Sequence, residues 1–355
     1  MPDNTKPLCP ECVESFDGSD AVDRRNFIRV LGGQAAALAV LAGGAGATTR
    51  ALAAEDVKAK KVERPAKPAE DLVRELHAGL SADQKKDVVL PWDHGSEGGK
   101  RRPARLRMYN APIGKHIDKV YTKPQQELIE RILRAISSDE DGYRRITRNG
   151  TFDGSHSLGG CGATLFGEPG DGQKYAWVFT GHHLTVRCDG NSEEGAAFGG
   201  PMYYGHSPNG YSDKNVFFYQ TKSVLSVHDA LSEEQRKKAI VSGSPGEGDK
   251  SVQFKKKIEE QPGILYKDLK ADQKELVQKV MRDVLSPYRK EDVEEVMAII
   301  KSNGGMEKIH LAFYPDAAMK DNKPWHFWRL EGPGFVWNYR VLPHVHTYVN
   351  ISSKV

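Results

Sequence analysis

Residues 309–351 read IHLAFYPDAAMKDNKPWHFWRLEGPGFVWNYRVLPHVHTYVNI. Four runs rich in aromatic and β-branched residues, Ile309–Tyr314, Trp325–Leu330, Phe335–Val341 and His344–Ile351, are separated by Pro315-Asp316, Glu331-Gly332-Pro333-Gly334 and Pro343. Such runs favour the pleated backbone, and connections this short join antiparallel neighbours. The segment therefore predicts a C-terminal antiparallel meander. Upstream, Tyr143–Gln220 has a similar texture, with Gly clusters separating Tyr175–Thr180, Leu184–Cys188 and Val216–Tyr219, which read as strands joined by turns.

Helical spacing governs much of the rest. Leu72, Leu76 and Leu80 recur every fourth residue, and Leu128, Ile129, Ile132, Leu133 and Ile136 share one face of a helix over Tyr121–Ser137. Further helices are expected at Ser232–Val241, Leu269–Leu285 and Glu291–Ser302, with capping boxes at Ser81/Gln84 and Ser232/Gln235. The motif Leu-x-x-[Asp/Glu]-Gln-[Lys/Arg] occurs at Leu80, Leu231 and Leu269. Its unequal spacings and differing flanks read as three similar helix starts rather than a repeat. The order of helices and strands predicts an α+β fold over 69–355: one large domain, an antiparallel or mixed sheet packed against several amphipathic helices.

The N-terminus reads differently. Asp23-Arg24-Arg25-Asn26-Phe27-Ile28-Arg29 precedes an uncharged, Ala- and Gly-rich run over Val30–Ala47, and Ala51-Leu52-Ala53 has a small-x-small form. This is the pattern of a twin-arginine export signal over 1–53, followed by a charged, Pro-containing linker over 54–68. The run is too weakly apolar for a lasting membrane span, so a soluble product exported to the bacterial periplasm is expected, with the twin-arginine machinery as a partner. The 355 residues carry 51 Lys+Arg and 48 Asp+Glu, and residues beyond 53 carry 46 and 42. That near balance, without a basic stripe, argues against nucleic acid as a partner.

Of four cysteines, Cys9 and Cys12 fall in the leader. Cys161 and Cys188 remain, and in an oxidising compartment they are candidates for a disulfide. A cysteine hydrolase built on Cys161 is the weakest functional reading, since no flanking charge would stabilise a thiolate.

The candidate chemistry is histidine-based. Residues i and i+2 of a strand face the same way, so His344 and His346 project together, and one of His182 and His183 can join them. Three imidazoles converging from neighbouring strands make an open site for a transition metal such as zinc, copper or iron. Glu331 and His206 are candidate acid–base groups. Tyr203 and Tyr204, in the loop-like Gly199–His206 segment, and Trp328 are candidate pocket residues.

Gly181-His182-His183-Leu184, Gly200-Pro201, the Leu-x-x-Glu-Gln-Arg stretch, Trp328-Arg329-Leu330-Glu331-Gly332-Pro333 and His344-Val345-His346-Thr347 together resemble the family catalogued as domain of unknown function 3500. The resemblance spans roughly 120–350 and implies that the two histidine segments belong to one constellation. After His346 the chain has Thr347-Tyr348-Val349-Asn350 where an Arg-Asp and a later Asn-Asp-Tyr are expected of the family. The favoured function is an exported metalloenzyme using hydrolytic or oxygen-dependent chemistry on a small molecule. A non-catalytic periplasmic protein binding a sugar or aromatic ligand on the Trp- and Tyr-rich strands is the alternative.

Overall fold

A computed structural model of the chain describes residues 68–354 apart from 256. The expected leader over 1–53 and the linker up to 67 lie outside the described residues. The described chain is α+β. Helices α1 (Ala69–Ala78) and α2 (Ala82–Val88) and strand β1 (Val89–Leu90) come first, followed by α3 (Ile117–Val120), α4 (Lys123–Ile136) and α5 (Glu140–Ile146). Four strands follow: β2 (Gly162–Gly167), β3 (Tyr175–Gly181), β4 (Leu184–Cys188) and β5 (Met202–His206). The chain then continues through α6 (Phe218–Ala230), α7 (Glu233–Ala239), β6 (Ile264–Leu265), α8 (Ala271–Leu285) and α9 (Lys290–Ser302). It ends in β7 (His310–Tyr314), β8 (Phe327–Gly332), β9 (Phe335–Arg340) and β10 (Val345–Ile351). The strands form one mixed sheet in the order β1-β2-β3-β4-β5-β10-β9-β8-β7-β6, in which only β1 and β2 run parallel.

That order describes two similar halves meeting at an antiparallel β5/β10 seam. The matches extend to single hydrogen bonds. In the first half Gln84 caps α2 by accepting from the Ser81 amide (2.9 Å), Gln125 caps α4 by accepting from Thr122 (2.9 Å), and Gln84 Nε2 donates to Gln125 Oε1 (2.7 Å). In the second half Gln235 accepts from Ser232 (2.9 Å), Gln273 from Lys270 (2.8 Å), and Gln235 Nε2 donates to Gln273 Oε1 (2.8 Å). Gln125 Nε2 reaches Gly79 O (2.8 Å) as Gln273 Nε2 reaches Ala230 O (2.8 Å). Val89 pairs parallel with Leu165, and Ile240 pairs parallel with Phe313. The Ile117 amide donates to Cys161 O, and that of Tyr266 to Ile309 O, both at 2.8 Å. A shift of 151 residues carries Trp177, Gly181, His183 and Leu184 onto Trp328, Gly332, Gly334 and Phe335.

Two of the three similar helix starts are thus equivalent positions of an internal duplication, which corrects the sequence expectation. Leu80 matches Leu231, and Leu269 matches Tyr121, where the motif has drifted to Tyr-Thr-Lys-Pro-Gln. Because the shift is 151 at Gln84 and 148 at Gln125, no single period brings the copies into alignment.

One face of the sheet carries the helices, with α1 against α4 and α6 against α8. The buried core on that side joins Leu76, Ile129, Ile132, Val224, Val277 and Val280 to strand residues such as Leu165, Trp177, Val186, Trp328, Leu330 and Trp337. Each such large apolar side chain contributes about 1.5–3 kcal/mol through removal from water. The aromatic stripe Trp325, Trp328, Trp337 and Tyr339 is wholly buried here. It therefore offers no platform for a sugar or aromatic ligand. The opposite face is covered by the segments 91–113 and 241–255 and carries smaller apolar clusters among polar side chains.

Two stretches differ from expectation. Val216–Tyr219 is read as a strand, but Phe218 begins α6. The face that α6 buries includes Gln220, Thr221 and Ser223 beside Val224 and Val227, so the apolar period that marks a helix is blurred. Met202–His206, expected as a loop, is β5, an inner strand at the seam; its glycine-rich approach hides it.

Candidate metal centre

The site forms where the β3–β4 hairpin approaches the start of β10 across the seam. Gly181 pairs with Leu184, so His182-His183 is the two-residue loop of this hairpin. His183 has φ 52°, the left-handed region that a β-carbon disfavours. Its backbone is fixed on both sides: its amide donates to Asn110 O (3.0 Å) and its carbonyl accepts from Gly205 N (2.9 Å). Gly205 is required by close approach. A β-carbon there would lie 2.3 Å from Val345 O, 3.1 Å from the His346 ring and 3.3 Å from His183 Cβ.

On β10, Val345, Val349 and Ile351 enter the helix-side core, which turns His346, Tyr348 and Asn350 to the other face. His344 precedes the strand. His183, His344 and His346 are 0, 4 and 2% exposed. Their ring centroids are 4.8 Å (His183–His344), 4.8 Å (His183–His346) and 4.6 Å (His344–His346) apart, and His344 Nε2 lies 2.8 Å from His346 Nε2. These three form a group whose donor atoms lie within 4.8 Å of one another, as do Asp153, His182 and His183; either group could hold a metal ion.

Carboxylates orient the rings from behind. Asp153 Oδ2 is 2.7 Å from His183 Nδ1 and 2.9 Å from His182 Nδ1, and Asp153 Oδ1 is 3.4 Å from His206 Nδ1. On the far side Glu247 Oε1 is 3.0 Å from His346 Nδ1 and accepts from Tyr348 Oη (3.3 Å), while Glu247 Oε2 accepts from Arg340 Nη1 (2.7 Å). A carboxylate on Nδ1 fixes the tautomer with its proton there and directs the Nε2 lone pair to an ion. Arg148, almost wholly buried, donates to the His182 and Ile146 carbonyls and anchors the hairpin.

Electrostatics favour neutral imidazoles. Burial pushes His183 down to about 4, against the opposing bond from Asp153. Burial, then the neighbouring His183 and Arg340, pushes His344 down to about 3, and the same kind of surroundings hold His346 well below the ordinary imidazole value. Asp153 moves the other way from a typical buried acid. Burial raises it, but the imidazoles His182, His183 and His206, with Arg148, hold it well below the usual carboxylate range. Burial raises Glu247, with Arg340 and Tyr348 opposing.

The structure brings together His182, His183, His344 and His346, with His206 and Tyr203 beside them. Tyr203 stacks on Tyr348, centroids 4.8 Å apart, and lies nearly perpendicular to the His346 ring at 5.5 Å. It does not bring in the other expected residues. Tyr204 points into the helix-side core, where its hydroxyl meets Gln220 and Val284 O, and Trp328 is buried on that same side. Glu331 is level with Val336 and hence Asn350, whereas His346 is level with Arg340 and Phe327. That is four residues along the strands, roughly 13 Å, and Glu331 instead pairs with Arg329 (2.7 Å).

Cys161 and Cys188 are free, buried thiols, which corrects the disulfide expectation. Cys188 is level with Trp177 and Leu165, four residues beyond Cys161 and two strands away. The separation is roughly 10 Å across and 13 Å along the sheet, beyond the reach of a disulfide. Burial pushes Cys161 up to about 12 and Cys188 well above the ordinary thiol value, so neither suits a thiolate nucleophile.

Sequence reading missed Asp153, Glu247, Arg340, Tyr348 and Arg148. Asp153 and Glu247 lie in Gly-rich segments, Asn149–Gly154 and Gly243–Gly248, where no periodicity points at a partner. No curated protein and no solved structure matches the chain. The sequence model of one family, described as Protein of unknown function (DUF3500), matches residues 62–352, and the chain belongs to that family.

Proposed function

We propose that this chain is an exported metalloenzyme in which His183, His344 and His346 hold one divalent transition metal ion that activates water to hydrolyse a small molecule. The observation that carries the reading is the convergence of three buried imidazoles, two of them backed at Nδ1 by a carboxylate. Three neutral imidazoles would hold such an ion, and the chemistry it would supply is water made acidic enough to react near neutral pH. His182, Asp153 and His206, with side chains 20, 13 and 17% exposed, form the side of the cluster that reaches solvent. The His182 and His206 imidazoles are suited to accept a proton from water and return it to a leaving group, while Asp153 orients the rings. Zinc fits hydrolysis; iron or copper bound by the same ligands would redirect the chemistry to oxygen.

Export rests on the Arg24-Arg25 pair and the apolar Val30–Ala47 run. Among the described residues no helix is long and apolar enough to cross a membrane. The test is a panel of small esters, lactones, amides and phosphoesters assayed with the purified protein before and after metal removal. Turnover that disappears with the metal and returns with its replacement supports the proposal. Turnover indifferent to metal removal, or none with any substrate on the fully loaded protein, contradicts it.

A further inference from the structure

The two halves differ most on the loop-covered face. In the first half Phe166, Ala176 and Val178 pack against Ala104 with Leu90, Trp92 and Ile113, filling the space between sheet and loop. In the second half the equivalent positions are Tyr314 for Phe166, Arg329 for Val178, Val241 for Leu90 and Gly243 for Trp92. Where the indole of Trp92 stands in one half, the other has no side chain. The result is a cleft of about 290 Å³ lined by these residues together with Ser242, Lys250, Lys255 and Glu331.

Its floor is charged. Arg329 and Glu331, 5 and 3% exposed, lie side by side, with Arg329 Nε donating to Glu331 Oε2 (2.7 Å) and Nη1 to Ser251 O (2.7 Å) and Asn338 Oδ1 (2.9 Å). Glu331 Oε1 is buried and has no hydrogen-bond partner among the described residues. Thr180, its counterpart, accepts from the Ile113 amide of the covering segment at 3.0 Å. A buried carboxylate oxygen left without a donor costs on the order of 1–3 kcal/mol or more, so a position that keeps one against a cleft calls for a ligand that donates. Lys250 and Lys255 at the mouth add positive charge.

We infer that the cleft bordered by Glu331, Arg329, Lys250 and Lys255 is a second binding site, for a small hydroxylated carboxylate such as a sugar acid. A ligand hydroxyl donates to Glu331 Oε1 while its carboxylate faces the two lysines. The volume suits a molecule of about six carbons, at the small end of ligand pockets.

Isothermal titration with D-gluconate tests the site, with D-glucose and acetate as comparators, on the full chain and on two variants. Arg329→Val/Glu331→Thr installs the residues of the other half and removes both members of the ion pair together, so no buried charge is stranded. Lys250→Ala/Lys255→Ala removes only the mouth charge. Thermal melts verify that both variants fold. The expected result is gluconate binding at least tenfold tighter than glucose or acetate in the wild type, no detectable binding in the first variant, and equal affinity for gluconate and glucose in the second. Both variants keep His183, His344 and His346, so gluconate held at the histidines would bind all three proteins alike. That result, or no binding to the folded wild type, overturns the inference.

Discussion

The β3–β4 and β8–β9 hairpins occupy equivalent places in the two halves and do opposite things. Both are closed by a two-residue loop between a glycine and a large apolar residue: Gly181-His182-His183-Leu184 in one, Gly332-Pro333-Gly334-Phe335 in the other. Both carry a positive φ at the second loop position, 52° at His183 and 72° at Gly334. Both carbonyls there accept from the strand across the way, from Gly205 N at 2.9 Å and Ser352 N at 2.7 Å. Proline and glycine are the residues such a turn prefers. The first half gives up that preference and gains two imidazoles aimed at Asp153, His344 and His346. Near the second turn, Asn303 bonds the Pro333 and Ser352 carbonyls, a neutral structural role. One scaffold thus supplies a site from one copy of the hairpin and stability from the other.

The comparison can be broken at its shared core first. Trp177 and Trp328 are matched and fully buried, so Trp177→Ala and Trp328→Ala should each lose about 3–5 kcal/mol of stability in urea unfolding. A near-neutral result for one would show that the halves are not packed alike. The functional difference is sharpened by His183→Gly, which gives the first hairpin the residue of the second. Apparent metal affinity should fall by more than the about 10–100-fold typical of losing an outer carboxylate. The metal-free variant should meanwhile lose stability, since relief of the left-handed residue returns only about 1 kcal/mol against the roughly 2–5 kcal/mol typical of emptying a fully buried side-chain site, and the bond to Asp153 is lost as well. Unchanged affinity in a chelator competition would remove His183 from the ligand set.

A smaller effect is expected of Asp153→Asn and Glu247→Gln, each lowering metal affinity by about 10–100-fold through the orientation of His183 and His346. If only one of them acts, the site is held from one side. The pH response is the subtlest. Native His183 and His344 bind protons only near pH 4 and 3, whereas the unfolded imidazoles do so near 6.5. Below pH 6.5 the unfolded metal-free chain therefore takes up more protons than the folded one. Stability is fully present above pH 6.5 and declines as pH falls toward 4. Urea midpoints between pH 7 and 4.5 should show that slope, and His183→Gly should flatten it. An equal slope in both proteins would place its origin elsewhere.

Much of this was legible in the sequence because strand alternation and short turns constrain neighbours locally. The C-terminal meander, the helix over Lys123–Ile136 and the shared facing of His344 and His346 all follow from spacing of a few residues. What was not legible depends on distant partners. Glu247 reaches His346 from a Gly-rich loop, and Asp153 reaches His183 through a run of left-handed residues at Arg148, Asn149, Phe152 and Asp153 itself. The duplication was hidden because the two halves differ in both sequence and spacing while sharing geometry: Gln125 matches Gln273, whereas Lys270 stands where the other half has Thr122. Glu331 stands in the Trp328–Pro333 motif that points toward the histidines, yet register along three strands carries it to the other end of the sheet.

The most direct test of the metal centre is elemental analysis of the purified full chain beside a His344→Ala/His346→Ala variant whose circular dichroism matches the wild type. The account predicts close to one transition metal ion per wild-type chain and almost none in the variant. Equal, substoichiometric metal in both would contradict it.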